Sequence, residues 1–178
     1  MLTRNRLPAG NYRMLYIFGG LPGTGKSELS QSLARKHNAV YLRIDTIEQA
    51  LRESGSPVDG PEGYAVAYRI AEDNLRNGLS VVADSVNPIE ITRTAWRDVA
   101  RRVGAPFVEI EVVCSNIAEH KRRVETRSTN LAGFRLPTWN EVVSREYEPW
   151  DREHIVVDTA GQTVDQSVAA LYRALTGK

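Results

Sequence analysis

The run Gly20-Leu21-Pro22-Gly23-Thr24-Gly25-Lys26-Ser27 has the spacing G-x-x-x-x-G-K-[ST], the Walker A pattern. Its glycines let the backbone turn tightly and approach an anion without a Cβ in the way. Successive amides then converge on phosphate oxygens at the start of a helix, where the dipole favours negative charge. Lys26 supplies a cation for the β- and γ-phosphates. Ser27 supplies a hydroxyl for Mg²⁺, an ion that otherwise keeps water and phosphate oxygens. The pattern predicts a nucleoside triphosphate, with Mg²⁺, on residues 20–27.

Two acids and three arginines stand where they could act on that phosphate. Asp45 and Asp84 each close an apolar run, and in doubly wound sheets ligands bind beyond the carboxyl ends of the strands. Asp45 there could take the proton of an acceptor hydroxyl as it attacks phosphorus. With Glu48 three residues on, it also resembles a helix capping box. Asp84 suits the holding of Mg²⁺ through its waters, or an Asx-turn before Pro88. Ser85 and Asn87, in the same loop, could hold substrate or fix the turn. Arg123 and Arg127 lie four apart on one helix face, and Arg135 follows in a loop. Guanidinium groups on a closing lid would stabilise charge spreading over the equatorial oxygens, and Arg also stacks on bases. The alternative for this run is a solvated basic face with a Glu119–Arg123 pair, but its position after the fourth strand of a P-loop sheet favours the functional reading of Arg123 and Arg127.

Such residues need a scaffold, and the chain alternates strand and helix signals. Apolar runs at 14–18, 40–44, 79–83, 107–113 and 155–157 predict strands. Helical patterns are expected from about Gly25, around 47–51, over 63–76, from Pro88 to Gly104, over 117–127, near 139–147 and over 162–175. The alternation indicates a parallel sheet with helices on both faces and right-handed crossovers. One domain over residues 1–178 is expected, with a loose arm at 1–12 and a lid loop at about 128–138.

Composition narrows the classes. The 178 residues carry 23 Lys+Arg against 22 Asp+Glu, a net charge of +1, which argues against a polybasic nucleic-acid binder or a charged disordered chain. The single cysteine, Cys114, excludes a disulfide framework and a Cys-rich zinc site. No apolar run approaches the ~20 residues that span a membrane, and the N-terminus lacks the apolar core of a secretory signal. The expected compartment is the cytoplasm. Counted by segment, residues 1–43 hold 7 bases and 1 acid, 44–90 hold 3 and 9, 91–135 hold 9 and 5, and 136–178 hold 4 and 7. Negative charge thus falls on the presumed acceptor segment, which leans toward a neutral or cationic small acceptor.

The order Walker A, Arg-Ile-Asp45, Val-Ala-Asp84-Ser-x-Asn87 and Arg123-x-x-x-Arg127 resembles the P-loop kinases that share only a name with AAA-type ATPases. These include the zeta toxin, chloramphenicol phosphotransferase and polynucleotide kinase group, with gluconate and shikimate kinases more distant. The likeness covers roughly residues 14–176. It implies a P-loop three-layer sandwich with a five-stranded parallel sheet in order 2-3-1-4-5, and ATP-Mg²⁺ as donor. It also implies Asp45 as general base, Lys26 and Ser27 on phosphate and magnesium, and Arg123 and Arg127 as nucleotide and lid arginines. The loop from Thr159 through Gly161 would lie by the adenine. The expected activity is phosphoryl transfer to a hydroxyl of a small metabolite or antibiotic-like molecule. A polynucleotide 5′-hydroxyl kinase, which the charge disfavours, and a nucleotide-binding regulatory module without turnover are the alternatives. A motor function is disfavoured. Oligomeric state is not legible from the residues.

Overall fold

The computed structural model describes residues 13–177; the expected arm at 1–12 lies outside the described residues. The strands are β1 (Leu15–Gly19), β2 (Val40–Arg43), β3 (Val81–Asp84), β4 (Phe107–Val113) and β5 (Ile155–Asp158). All are parallel, in the order β2-β3-β1-β4-β5. The helices are α1 (Lys26–His37), α2 (Ile44–Glu53), α3 (Glu62–Arg76), α4 (Glu90–Val103), α5 (Ile117–Thr126), α6 (Trp139–Val143) and α7 (Val164–Thr176).

A sheet covered on both faces needs apolar residues at both parities of each central strand. Leu15, Ile17, Val81 and Ala83 meet Ala67, Ala71, Leu75, Trp96 and Val99 on one side. Tyr16, Phe18, Val82, Ile110 and Val112 meet Leu29, Leu33, Leu171 and Leu175 on the other. Two cores separated by one sheet make the three layers. In register, Asp84 lies opposite both Phe18 of β1 and Arg43 of β2. The carboxyl ends of these strands therefore finish level, and the phosphate loop leaves β1, beside β3. Among the described residues no helix is long and apolar enough to cross a membrane.

The structure shifts several expected boundaries. β3 begins at Val81 and contains Asp84 as its last residue, because the Leu79 amide is already used by the Asn74 carbonyl. The helix expected near 139–147 is only five residues long. It starts on a Thr138–Glu141 capping box and ends at Val143. The chain beyond it docks through polar groups: the Glu148 amide donates to Pro88 O at 2.8 Å. The Tyr147 hydroxyl donates to Glu111 Oε1 at 2.9 Å. Arg93 donates to the Glu148 carbonyl and stacks over Trp150. On the same helix Arg97 pairs with Glu90 and Glu109. Both arginines are buried, so α4 carries ion pairs where a helical wheel shows polar positions.

Trp96 is fully buried with Tyr68 edge-on at 4.6 Å, and its indole N–H has no partner. Trp96→Ala should cost about 3–5 kcal/mol in urea unfolding. Trp96→Phe, which keeps the aromatic contact and deletes the unpaired donor, should cost under about 1.5 kcal/mol.

Candidate active site

Close backbone approach shapes the start of the phosphate loop, and the Thr24 hydroxyl donates to Leu21 O within it at 2.9 Å. Gly20 leaves β1 at φ +136, and a Cβ there would sit 2.2 Å from the Val112 carbonyl oxygen, so only glycine fits. Its amide donates to Val86 O at 3.0 Å. α1 starts at Lys26 with Gly25 as N-cap and no side chain capping it. The first-turn amides are thus left for an anion.

Lys26 Nζ lies 2.7 Å from Asp84 Oδ1, and the Tyr41 hydroxyl donates to Asp84 Oδ2 at 2.6 Å. The Asp84 carboxyl is buried, which by itself would raise its pKa. The Lys26 charge, with hydrogen bonds from Lys26, Tyr41 and Ser27, outweighs burial and holds it below the usual carboxylate range. Burial and the Asp84 charge push the Tyr41 hydroxyl well up, so it stays a donor. Ser27 and Asp84 are therefore neighbours, and their oxygens suit a hard divalent cation. Among the described residues no cluster of three His, Cys, Asp or Glu could hold a metal, so such a cation needs phosphate oxygens and water for its other ligands. This fits a nucleotide-borne Mg²⁺.

A cleft of about 950 Å³ opens above the loop. Its lining includes Leu21, Pro22, Gly23, Gly25, Lys26 and Ser27 of the loop, Asp45, Glu48, Arg52 and Tyr64 from the segment after β2, and Arg123, Arg127, Arg135 and Arg145. Asp45 sits in the first turn of α2, whose N-cap is Arg43, without a side-chain cap bond. The capping box suggested by Glu48 does not form. Instead the Asp45 carboxylate is 43% exposed, 3.5 Å from Arg43 Nη2. Tyr64 shows cleft and core roles together: it lines the wall, and its oxygen accepts the Asn87 amide at 3.2 Å. Burial pushes its hydroxyl up to about 12. Asn87, at φ +48, fixes the turn, since its Nδ2 donates to Phe18 O at 2.7 Å.

Arg127 is the C-cap of α5 rather than its last helical residue. Its Nε and Nη2 are buried without hydrogen-bond partners among the described residues, and burial lowers its pKa against the pull of Asp45. Arg135 pairs with Glu141 at 2.7 Å and is 75% exposed on the lid loop. The Thr138 amide and Arg135 hold Glu141 down to about 2. Arg123 donates to Thr159 Oγ1 at 2.7 Å and to Thr159 O at 2.9 Å. Thr159 Oγ1 lies 2.8 Å from Thr24 O. A second hollow of about 210 Å³ opens beside them, lined in part by Gly23, Leu29, Arg123, Gln162 and Val164. Gly161 does not line it; its amide donates to Glu119 Oε2 at 2.8 Å and shapes the loop from outside. Gly20, Thr24 and Asp84 likewise support the cleft from beneath. Sequence reasoning missed Tyr41, His120 and Arg145. The faint signals were strand parity for Tyr41 and, for His120, a place one turn before Arg123.

The family model described as "AAA domain" (AAA_33) matches residues 15–141. The chain belongs to that family. A protein of Aeropyrum pernix named "Probable adenylyl-sulfate kinase" is 26% identical over 86% of this chain and 87% of its own. The "L-seryl-tRNA(Sec) kinase" of Methanococcus maripaludis is 29% identical over 82% of this chain and 59% of its own. The structure of the Mycobacterium tuberculosis APS kinase with AMPPNP and APS superposes with a TM-score of 0.63 at 17% identity, covering 92% of this chain and 98% of that one. At that identity it shows the fold alone. Relatives and phosphate loop together make the chain an ATP-dependent kinase of the P-loop type. The expected P-loop kinase likeness holds at that level, and the relatives carry names outside the zeta toxin group.

Removing Lys26 leaves burial of Asp84 opposed only by hydroxyls. In the wild type the depressed Asp84 pKa contributes stability that is lost as pH falls through it. In Lys26→Met the pKa should rise above the unfolded value, so that stability is lost as pH rises. The stability gap between the two proteins, measured by urea unfolding, should widen from about pH 4 to pH 7. A constant gap would mean that Lys26 does not set the Asp84 charge.

Proposed function

We propose that the chain moves the γ-phosphoryl of ATP, bound with Mg²⁺, to a hydroxyl of a small molecule that carries negative charge. The observation behind this is that Asp45, exposed and without a capping role, opens onto the same cleft as Lys26. In this reading residues 20–27 hold the triphosphate, and Lys26 exchanges Asp84 for phosphate oxygens. Ser27 and Asp84 hold Mg²⁺, which neutralises phosphate charge when bound. Asp45 accepts the acceptor's hydroxyl proton as its oxygen bonds to phosphorus and the bond to the β-phosphate oxygen breaks, releasing ADP. Arg127, with its unpartnered N–H groups, stabilises the transferring group. Arg135 joins it when the lid closes, and Arg123 with the loop at 159–162 flanks the base.

The charge of the acceptor is read from the cleft, which reverses the segment count. Of the acids in 44–90, Asp45 and Glu48 line the cleft. Glu72 pairs with Arg76 and Arg102 on the outer side, and Glu90 pairs with Arg97. Arg43, Arg52, Arg127, Arg135 and Arg145 line it from the other sign. Arg145 has no hydrogen bond or ion pair among the described residues, which supports a role toward a ligand. The adenylyl-sulfate named for the Aeropyrum relative is an acceptor of this charge. The same arginines, with the seryl-tRNA kinase relative, keep a nucleic-acid acceptor as second reading. A regulatory module without turnover has no use for Asp45.

Asp45→Asn should bind ATP as the wild type does and lose about 10²–10⁴-fold in transfer rate; full transfer would remove Asp45 from the chemistry. Matched acceptors, such as adenosine 5′-phosphate against adenosine and gluconate against glucose, should differ by at least about tenfold in kcat/KM in favour of the anion, and Arg145→Ala should erase that preference. Equal use of neutral partners would overturn the acceptor charge and leave the kinase assignment standing. A nucleic-acid acceptor would instead show itself as binding that falls steeply with salt.

A further inference from the structure

The phosphate loop can cup an anion only if its carbonyls turn away while its amides turn in. In a trans peptide the C=O of one residue and the N–H of the next point in opposite directions. Fixing the carbonyls of Pro22 and Thr24 outward therefore aims the amides of Gly23 and Gly25 the other way. The Thr24 carbonyl has its anchor in the Thr159 hydroxyl, 2.8 Å away. The Pro22 carbonyl has one that no motif contains: His120 Nε2, at 2.9 Å. A carbonyl only accepts, so Nε2 must carry the proton.

His120 is buried on α5, and its ring also meets Trp139 of α6 edge-on at 5.2 Å. Its helix presses directly on the loop. A Cβ at Gly23 would lie 2.5 Å from Val124 Cγ2 and 3.4 Å from His120 Cδ2. Gly23 is thus required by the approach of α5 as well as by its φ of +87.

We infer that His120 is a positioning residue for nucleotide binding. Its Nε2–H sets the Pro22–Gly23 peptide so that the Gly23 amide faces the phosphates, and its ring ties that peptide to the helix that follows the lid. This rests on residues 20–27 being the phosphate site. It does not depend on which acceptor is used or on Asp45.

The experiment compares Gln, Asn and Leu at position 120, with affinity for Mg²⁺ and a nonhydrolysable ATP analogue measured by calorimetry, and unfolding temperature measured in parallel. Gln carries its amide nitrogen where Nε2 stands, whereas Asn stops near Nδ1. His120→Gln should bind within about twofold of the wild type, and His120→Asn and His120→Leu about tenfold more weakly, one buried hydrogen bond's worth. The two amide variants should unfold within a few degrees of each other. Wild-type affinity in Asn and Leu would overturn the inference. So would equal weakening in Gln and Asn, which would make the ring a packing group only. If the Leu variant does not fold, the Gln–Asn difference alone decides. Loss of all analogue binding in the wild type would instead sink the phosphate-site reading itself.

Discussion

A carboxylate with almost no solvent is tolerable only beside a cation, and the pairing of Asp84 with Lys26 meets that need at the centre of the molecule. The pair joins the end of β3 to the start of α1, so the phosphate loop between β1 and α1 is tied to the neighbouring strand. Tyr41 completes the shell from β2. Two strands and one helix thus converge on a single buried charge, and the level strand ends follow from the parallel register. In the proposed reading the same ammonium turns to the triphosphate when nucleotide binds, which would leave Asp84 for a cation.

Around this pair the helix α5 acts as a second frame. It sends His120 to the Pro22 carbonyl and Arg123 to Thr159, while Arg127 closes its end with N–H groups buried and unpaired. Burying unpaired donors costs free energy, and such groups accumulate where a ligand is to supply the partner. The opposite side of the molecule has the reverse character. Arg93 and Arg97 are buried too, but within ion pairs: Arg93, with Glu148 and over Trp150, pins the irregular chain after α6 to α4, and Arg97 ties α4 to Glu109 of β4.

Much of the scaffold was legible because periodicity and punctuation report local physics. Strands, helices and the strand-to-helix turn at Gly20–Ser27 stand where the apolar patterns place them, to within a few residues. The boundaries that moved did so through specific hydrogen bonds, such as the Leu79 amide taken by Asn74 and the docking of Tyr147 and Glu148 on Glu111 and Pro88 beyond the short α6. The site was legible where a residue type has one physical use, as with Lys26 in a glycine-rich loop. It was less so for Tyr41 and His120, which look like ordinary strand and helix residues until a carbonyl or carboxylate is set opposite them. Segment counting could not say which charges face the cleft: Glu72 and Glu90 of 44–90 pair away from it with Arg102 and Arg97, while Arg127, Arg135 and Arg145 of later segments line it.

By itself, then, the sequence determined the parallel sheet with two apolar faces, the phosphate loop, and the placing of Asp84 at one strand end and Asp45 just beyond another, because these depend on spacing along the chain over a turn or a strand. The tertiary structure alone decided which charges share a cavity, that Asp45 is free of capping while Asp84 is locked to Lys26, and that a histidine about a hundred residues away shapes the loop. Those outcomes depend on distances between separate elements, and Coulomb and hydrogen-bond energies fall off within a few ångströms, a scale that only folding defines.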